Sequence, residues 1–206
     1  MSRVSGHGMP SLAPVILVEG TVEKRGKPGT FSYTTTMKIQ APPTKVLEAL
    51  QHDWNQWWKG GRQTNLLKHP DGGASFDLAP VHWPPLPDLI KVHLELGAPL
   101  AETLGDGNDG YKVVLPVTLS GSFSGQAGFT ITRAPDGSTN LQSTWTDVHP
   151  SEMAQRMGGA ALTTHFHAEN NAFRNLDHYL NGKPMRGLIG LLSNPLPVKR
   201  SKTPRR

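Results

Sequence analysis

The residue types best suited to acid–base or metal chemistry crowd into one short run, HFHAEN, which holds His165, His167 and Glu169. An imidazole and a carboxylate four positions apart share one face of a helix, and can pass a proton if that face lines a cavity. His165 and Glu169 have that spacing, although the plainer expectation for them is an exposed helix pair. His165 and His167 lack it: two positions apart they point about 200° away from each other, so they cannot share an ion. Asp147, on the face of Trp145, is a second candidate, expected to hold a strand end by hydrogen bonding. Gly105, Gly107 and Gly110 spell the dinucleotide fingerprint, but no helix signal follows and Asp106 and Asp109 would repel a pyrophosphate. The same stretch fails as a calcium loop, because Tyr111 stands where the sharp-turn glycine is needed. GSFSG, residues 121–125, has Phe123 where a nucleophile elbow needs serine. The sequence therefore assigns no catalytic residue, no metal ligand and no cofactor.

Whatever these residues do, a core must position them. With 206 residues, 36% hydrophobic and 18% charged, the chain is apolar enough to bury one. It has no cysteine, which removes disulfides, thiolate nucleophiles and thiolate metal sites together and fits a reducing, cytoplasmic setting. LAPVILV is too short and too proline-broken for a signal peptide, and no run reaches membrane-spanning length. Five of the 21 Lys and Arg sit in the last eight residues, KRSKTPRR, and without them 16 basic residues face 16 acidic ones. The basicity belongs to a solvated tail, the segment that would meet anionic surfaces, and specific nucleic-acid binding is not expected.

Hydrophobic alternation predicts mostly strands. Residues 1–14 read as disordered, and PVILVEGTVEK reads as an edge strand joined by the RGKPG turn to FSYTTTMKIQ. In the latter, Phe31, Tyr33, Met37 and Ile39 share a face. Pro42 and Pro43 stop the strand and suit a helix first turn, after which Val46, Leu47 and Leu50 recur at helical spacing and Trp54, Trp57 and Trp58 extend the apolar face. Further strands group Phe76 with Leu78, then Ile90, Val92, Leu94 and Leu96, then Tyr111, Val113, Leu115, Val117 and Leu119. The last two group Phe123, Ala127, Phe129 and Ile131, and Leu141 with Trp145. From Ser151, a plausible N-cap, the period changes to that of one long helix, whose apolar stripe has a polar gap at Glu169 and Asn170 and which stops at Gly182 and Pro184. Gly158 and Gly159 weaken its interior by up to about 1 kcal/mol each.

This order of elements resembles the START-like superfamily, which includes polyketide cyclases, lipid-transfer domains and birch-pollen-allergen-like proteins. The residues carrying the resemblance are Ile39-Gln40-Ala41-Pro42-Pro43 with Val46 and Leu50, the tryptophans at 54–58, and the closing helix at 151–181. It implies an α+β helix-grip fold over residues 15–184, in which a curved antiparallel sheet wraps the long C-terminal helix, with 185–206 as an extension. It also implies an apolar cavity between sheet and helix, closed at one end by the tryptophan-bearing segment.

The function implied is binding or carriage of a hydrophobic, lipid-like or polyketide-like molecule. The alternative is a polyketide cyclase or dehydratase using the same cavity, and a co-chaperone-like domain acting through its surface is a third class. Two or more ionisable groups converging inside the cavity would mark the enzyme, and the inward faces read as almost wholly apolar. Candidate ligand-lining residues are Tyr33, Phe76, Leu78, Leu94 and Leu115 on the strands, with Val117, Phe129 and Trp145. Met157, Leu162 and Phe166 join them from the helix. A long-chain fatty acid or polyaromatic ligand is expected to perturb tryptophan fluorescence, entering where Gly158 and Gly159 let the helix open.

Overall fold

The computed structural model describes residues 21–23, 29–59, 62–79, 91–103, 110–156 and 159–185, and within the last of these stretches the side chains of 159–167 are outside the description. Expectations for the N-terminal 1–14 segment, Met157, Gly158 and the basic tail fall outside the described residues, as do those for the Leu162, His165 and Phe166 side chains.

Strand β1 (Thr21–Glu23) lies at the sheet edge and pairs with β2 (Phe31–Ile39). Along β2, Phe31, Tyr33, Met37 and Ile39 are buried while Thr36 and Lys38 are exposed, which is the alternation of a half-buried strand. Thr35 is buried on the apolar face as well. The prolines act as their backbone chemistry requires. Pro42 caps α1 (Pro43–His52) with extended backbone, its carbonyl accepting from the Lys45 and Val46 amides, and Pro43 sits in the first turn where no amide donor is needed. Val46, Ala49 and Leu50 are buried. The short α2 (Trp54–Trp57) follows, with Trp54, Trp57 and Trp58 all in the core.

A strand that the pattern does not reveal comes next. β3 (Arg62–Lys68) leaves Leu67 63% exposed and carries Asn65 at φ 57 inside a bulge, so its alternation is broken. β4 (Ala74–Ala79), by contrast, is buried on both faces. β5 (Val92–Leu96) and β6 (Leu100–Thr103) pair with two successive stretches of one long strand, β7 (Tyr111–Gly121). β8 (Phe123–Arg133) and β9 (Thr139–Pro150) complete the antiparallel sheet, ordered β1-β2-β9-β8-β7-β5-β4-β3 with β6 beside β7. The order ends on β1 and β3, so the sheet is open. At the β7–β8 connection Gly121 has φ +94, and a Cβ there would stand 2.7 Å from the Lys91 carbonyl oxygen, so only glycine fits.

Of the C-terminal helix expected from Ser151, the described residues give α3 (Glu152–Arg156) and α4 (Gly159–Leu180). Ser151 does cap the first, its Oγ accepting the Ala154 amide at 3.3 Å. Helix α4 is tied to the sheet at its far end. The Asp177 carboxylate accepts the Gln40 amide at 2.7 Å, and Tyr179 Oη donates to Asp53 at 3.2 Å. Phe173 and Leu176 of α4 join Leu50, Trp57, Phe76 and Leu115 in one continuous core. Each fully buried Phe or Leu there contributes roughly 1.5–3 kcal/mol relative to exposure. The molecule is thus a curved antiparallel sheet closed over a long C-terminal helix, the helix-grip arrangement.

A buried carboxylate at an aromatic cavity

Glu169 is not an exposed helix residue. It is 4% exposed, and it points from α4 onto the inner face of the sheet. Two strands meet it there. Thr35 on β2 and Ser143 on β9 are directly paired in the sheet, and both are buried. Ser143 Oγ donates to Glu169 Oε1 at 2.6 Å, and Thr35 Oγ1 donates to Oε2 at 3.2 Å. Trp145 Nε1, one step along the same face of β9, donates to Oε1 at 3.3 Å, and the Tyr33 hydroxyl also bonds the carboxylate. Four donors suit the roughly four lone-pair sites of one carboxylate. Burial pushes the Glu169 carboxyl above its ordinary value of 4.5, and the bonds from Ser143, Tyr33, Trp145 and Thr35 draw it back only in part. Burial also raises Tyr33 well above its ordinary value, and the neighbouring Glu169 adds to that.

This cluster corrects the expectation of an almost wholly apolar interior. The signal that would have found it is the pairing of Thr35 with Ser143. Two hydroxyls side by side on inward faces require a polar partner from the element packed above them.

Glu169 lines a cavity of about 40 Å³. That is space for the centres of on the order of three water molecules. Trp54 of α2 and Trp58 just after it close one side, and Phe173 stands beside Glu169 on α4. Leu78, Val92 and Leu94 come from β4 and β5, and Phe129 and Trp145 from β8 and β9. The aromatic rings brace one another: Trp54 sits 4.8 Å from Phe76 and 6.0 Å from Phe129, while Trp145 stacks on Tyr33 at 5.4 Å and 19°. Of the residues expected to line a ligand site, Leu78, Leu94, Phe129 and Trp145 stand on this cavity. Tyr33, Phe76, Leu115 and Val117 are buried in the core around it.

The other candidate residues are placed elsewhere. Asp147 lies in a bulge of β9 with φ 48, where its amide donates to Ser32 Oγ at 2.9 Å, so the short polar residue serves the strand's irregularity. On the outer face, Asp77 accepts Lys91 Nζ at 2.8 Å, His93 Nδ1 at 2.8 Å and Asn65 Nδ2 at 2.6 Å. Lys91, then His93 and Asn65, hold its carboxyl down to about 2. Asp77, Lys91 and His93 border an open cleft of about 430 Å³ that Ser120, Ser122 and Ser151 also line. Among the described residues no group of three or more His, Cys, Asp or Glu could hold a metal ion, and no helix is long and apolar enough to cross a membrane.

No family model matches the sequence, and no curated protein does. Solved structures match the fold. The lipid transfer and protein localization domain of human StarD13 superposes with a TM-score of 0.54 at 11% identity, over 86% of this chain and 89% of that one. A STAR-related lipid transfer protein from Xanthomonas axonopodis gives 0.49 at 15% identity, over 80% and 93%. A conserved protein of unknown function from Enterococcus faecalis gives 0.49 at 12%, over 85% and 86%. At such identities the likeness is one of fold, and the StarD13 domain carries it: this chain shares the helix-grip fold of that domain.

Proposed function

We propose that the protein binds a hydrophobic small molecule, lipid-like or polyketide-like, between its sheet and α4, as a carrier or binding module. The observation that carries this reading is the cavity itself. A closed fold normally packs its core to crystal-like density, so a void walled by three tryptophans and two phenylalanines, with a carboxylate on its wall, is a place kept for a guest. At about 40 Å³ the resting cavity is smaller than any lipid, so a larger ligand enters by parting its walls. Lipid transfer is in the name of the StarD13 domain, which shares the fold.

Titration with polyaromatic and long-chain ligands, read by tryptophan fluorescence, tests the proposal, since Trp54, Trp58 and Trp145 stand on the cavity. A saturable signal is expected. A panel of such ligands giving none would refute a binding cavity.

A second reading is favoured by one specific observation, the convergence of Glu169 and Tyr33. Glu169 on the cavity wall, with the Tyr33 hydroxyl bonded to it from the surrounding core, can take up and return a proton, as a cyclase or dehydratase acting on a polyketide-like substrate requires. Turnover of such a substrate that is lost in Glu169→Gln while binding persists would establish the enzyme.

A further inference from the structure

Three serines on the outer face of the sheet each keep a hydroxyl proton to give. They line the open cleft of about 430 Å³ beside Asp77, Lys91 and His93, across the sheet from the aromatic cavity. Ser122 Oγ accepts the Lys91 amide at 3.0 Å, and Ser151 Oγ accepts the Ala154 amide at 3.3 Å. A hydroxyl whose oxygen is held by a backbone amide still has its proton to donate. The Ser151 amide also donates to the Ser122 carbonyl at 2.8 Å, so the two serines are fixed side by side. Ser120 pairs directly with His93 across the β5–β7 ladder, is exposed, and has no hydrogen-bond partner among the described residues.

The charged groups of the cleft are arranged to the same effect. Asp77 is 8% exposed and already takes Lys91 Nζ, His93 Nδ1 and Asn65 Nδ2, which fill three of the roughly four lone-pair sites of a carboxylate. Ionised at neutral pH, it can only accept, so His93 presents Nδ1–H to it. The Lys91 side chain is half exposed, and its ammonium has two further N–H groups beyond the one given to Asp77. Glu95, the next outward residue of β5, does not line the cleft. The cleft therefore offers hydroxyl and ammonium donors, while its carboxylate is buried and engaged. The matching guest is rich in acceptors and poor in donors. A phosphate monoester has three terminal oxygens on one tetrahedral centre and can meet donors from different elements, whereas a carboxylate has two in one plane.

We propose that this cleft binds the phosphate group of a phosphate monoester, with Ser120, Ser122 and Ser151 donating to its oxygens and Lys91 supplying the counter-charge. Asp77 is a positioning residue that holds Lys91 and His93 in place. The site is separate from the aromatic cavity and does not depend on the reading of it.

Amide NMR titrations of the full chain test the proposal with glycerol phosphate, with acetate as the two-oxygen anion and glycerol as the uncharged control. Glycerol phosphate should give saturable shifts at Lys91, Ser120, Gly121, Ser122 and Ser151, acetate should bind several-fold more weakly, and glycerol should leave these amides unmoved. Ser120→Ala should weaken glycerol phosphate about 2–10-fold, the size of one net neutral hydrogen bond, and Lys91→Gln about tenfold or more, that of a charged one. Should Lys91→Gln fail to fold, Ser120→Ala decides alone, since its exposed hydroxyl holds nothing in the protein. Sedimentation with phosphatidylcholine vesicles, with and without phosphatidic acid, then distinguishes the sources of the phosphate. The basic tail is common to parent and Ser120→Ala, so a preference for phosphatidic acid that falls in the variant assigns a lipid headgroup. Binding of glycerol phosphate without that preference assigns a soluble ester, and either result upholds the site. Shifts confined to residues 199–206, acetate bound as tightly as glycerol phosphate, a Ser120→Ala protein that binds like the parent, or no saturable shift at all would overturn the proposal and leave the cavity reading intact.

Discussion

Replacing Glu169 separates the roles of its oxygens and its charge. In Glu169→Leu, Ser143 Oγ and Trp145 Nε1 lose the Oε1 atom they share, at a buried position. An orphaned buried donor costs about 1–3 kcal/mol, and the serine hydroxyl can turn to another acceptor whereas the indole N–H cannot. A net loss of about 2–4 kcal/mol is expected. For a chain of this size that lowers Tm by roughly 4–16 °C. Glu169→Gln keeps an oxygen for Ser143 and Trp145 and turns its amide toward Thr35 Oγ1, which can accept, so this variant should stay within about 1 kcal/mol of the parent. The two proteins should part with pH. Because burial raises the Glu169 carboxyl on folding, its contribution is full below the ordinary value of 4.5 and is lost as pH climbs through the folded value, where a charge must be buried. Glutamine does not titrate. Urea unfolding followed by tryptophan fluorescence at about pH 5 and pH 8 should therefore show the Gln variant gaining on the parent as pH rises. A Leu variant with the parent's midpoint, or a Gln variant that loses ground at high pH, would refute the reasoning.

Other expectations are more local. Asp77→Asn should destabilise the sheet at neutral pH and converge with the parent under acid, because a carboxyl held down to about 2 contributes above its ordinary value of 3.8 and ceases to as pH falls toward 2; acid titrations of both proteins would show the convergence. Gly121→Ala should cost more than about 1 kcal/mol by chemical denaturation, since it sets a side chain at φ +94 and 2.7 Å from the Lys91 carbonyl oxygen. Phe76→Ala removes a fully buried ring that Trp54 packs against, with an expected loss of about 3–5 kcal/mol in the same assay. Deleting 199–206, which carries five of the 21 basic residues, should leave unfolding unchanged and abolish any salt-sensitive attraction to anionic vesicles in a sedimentation assay.

The fold was legible where side chains alternate cleanly. Strands β2, β5, β7, β8 and β9 each present one apolar face, and Pro42 with Pro43 marks the turn from strand to helix without ambiguity. β3 was hidden by its bulge and its exposed Leu66 and Leu67, and β6 by having only four residues. The site was legible only in its apolar half. Glu169 looked like a gap in a helical stripe because a one-dimensional pattern ranks a carboxylate as solvent-facing, and its burial depends on donors supplied by two other strands. Thr35 and Ser143 each look like an ordinary hydroxyl in a strand until the β2–β9 register sets them side by side.

That register also dates the site in the life of the chain. Thr35 and Glu169 are 134 positions apart, and among the described residues β2 pairs with no strand except β9 and the three-residue β1. During synthesis the apolar face of β2, with Phe31, Tyr33, Met37 and Ile39, must wait for β9 and then α4 to leave the ribosome before it can be covered. At typical elongation speeds of about 5–20 residues per second the wait is on the order of ten seconds, far longer than hydrophobic collapse takes. Pairings this remote also close slowly in refolding. The nascent strand is thus the segment that a holding chaperone would grip first, and the carboxylate cluster cannot form until Glu169 has left the ribosome.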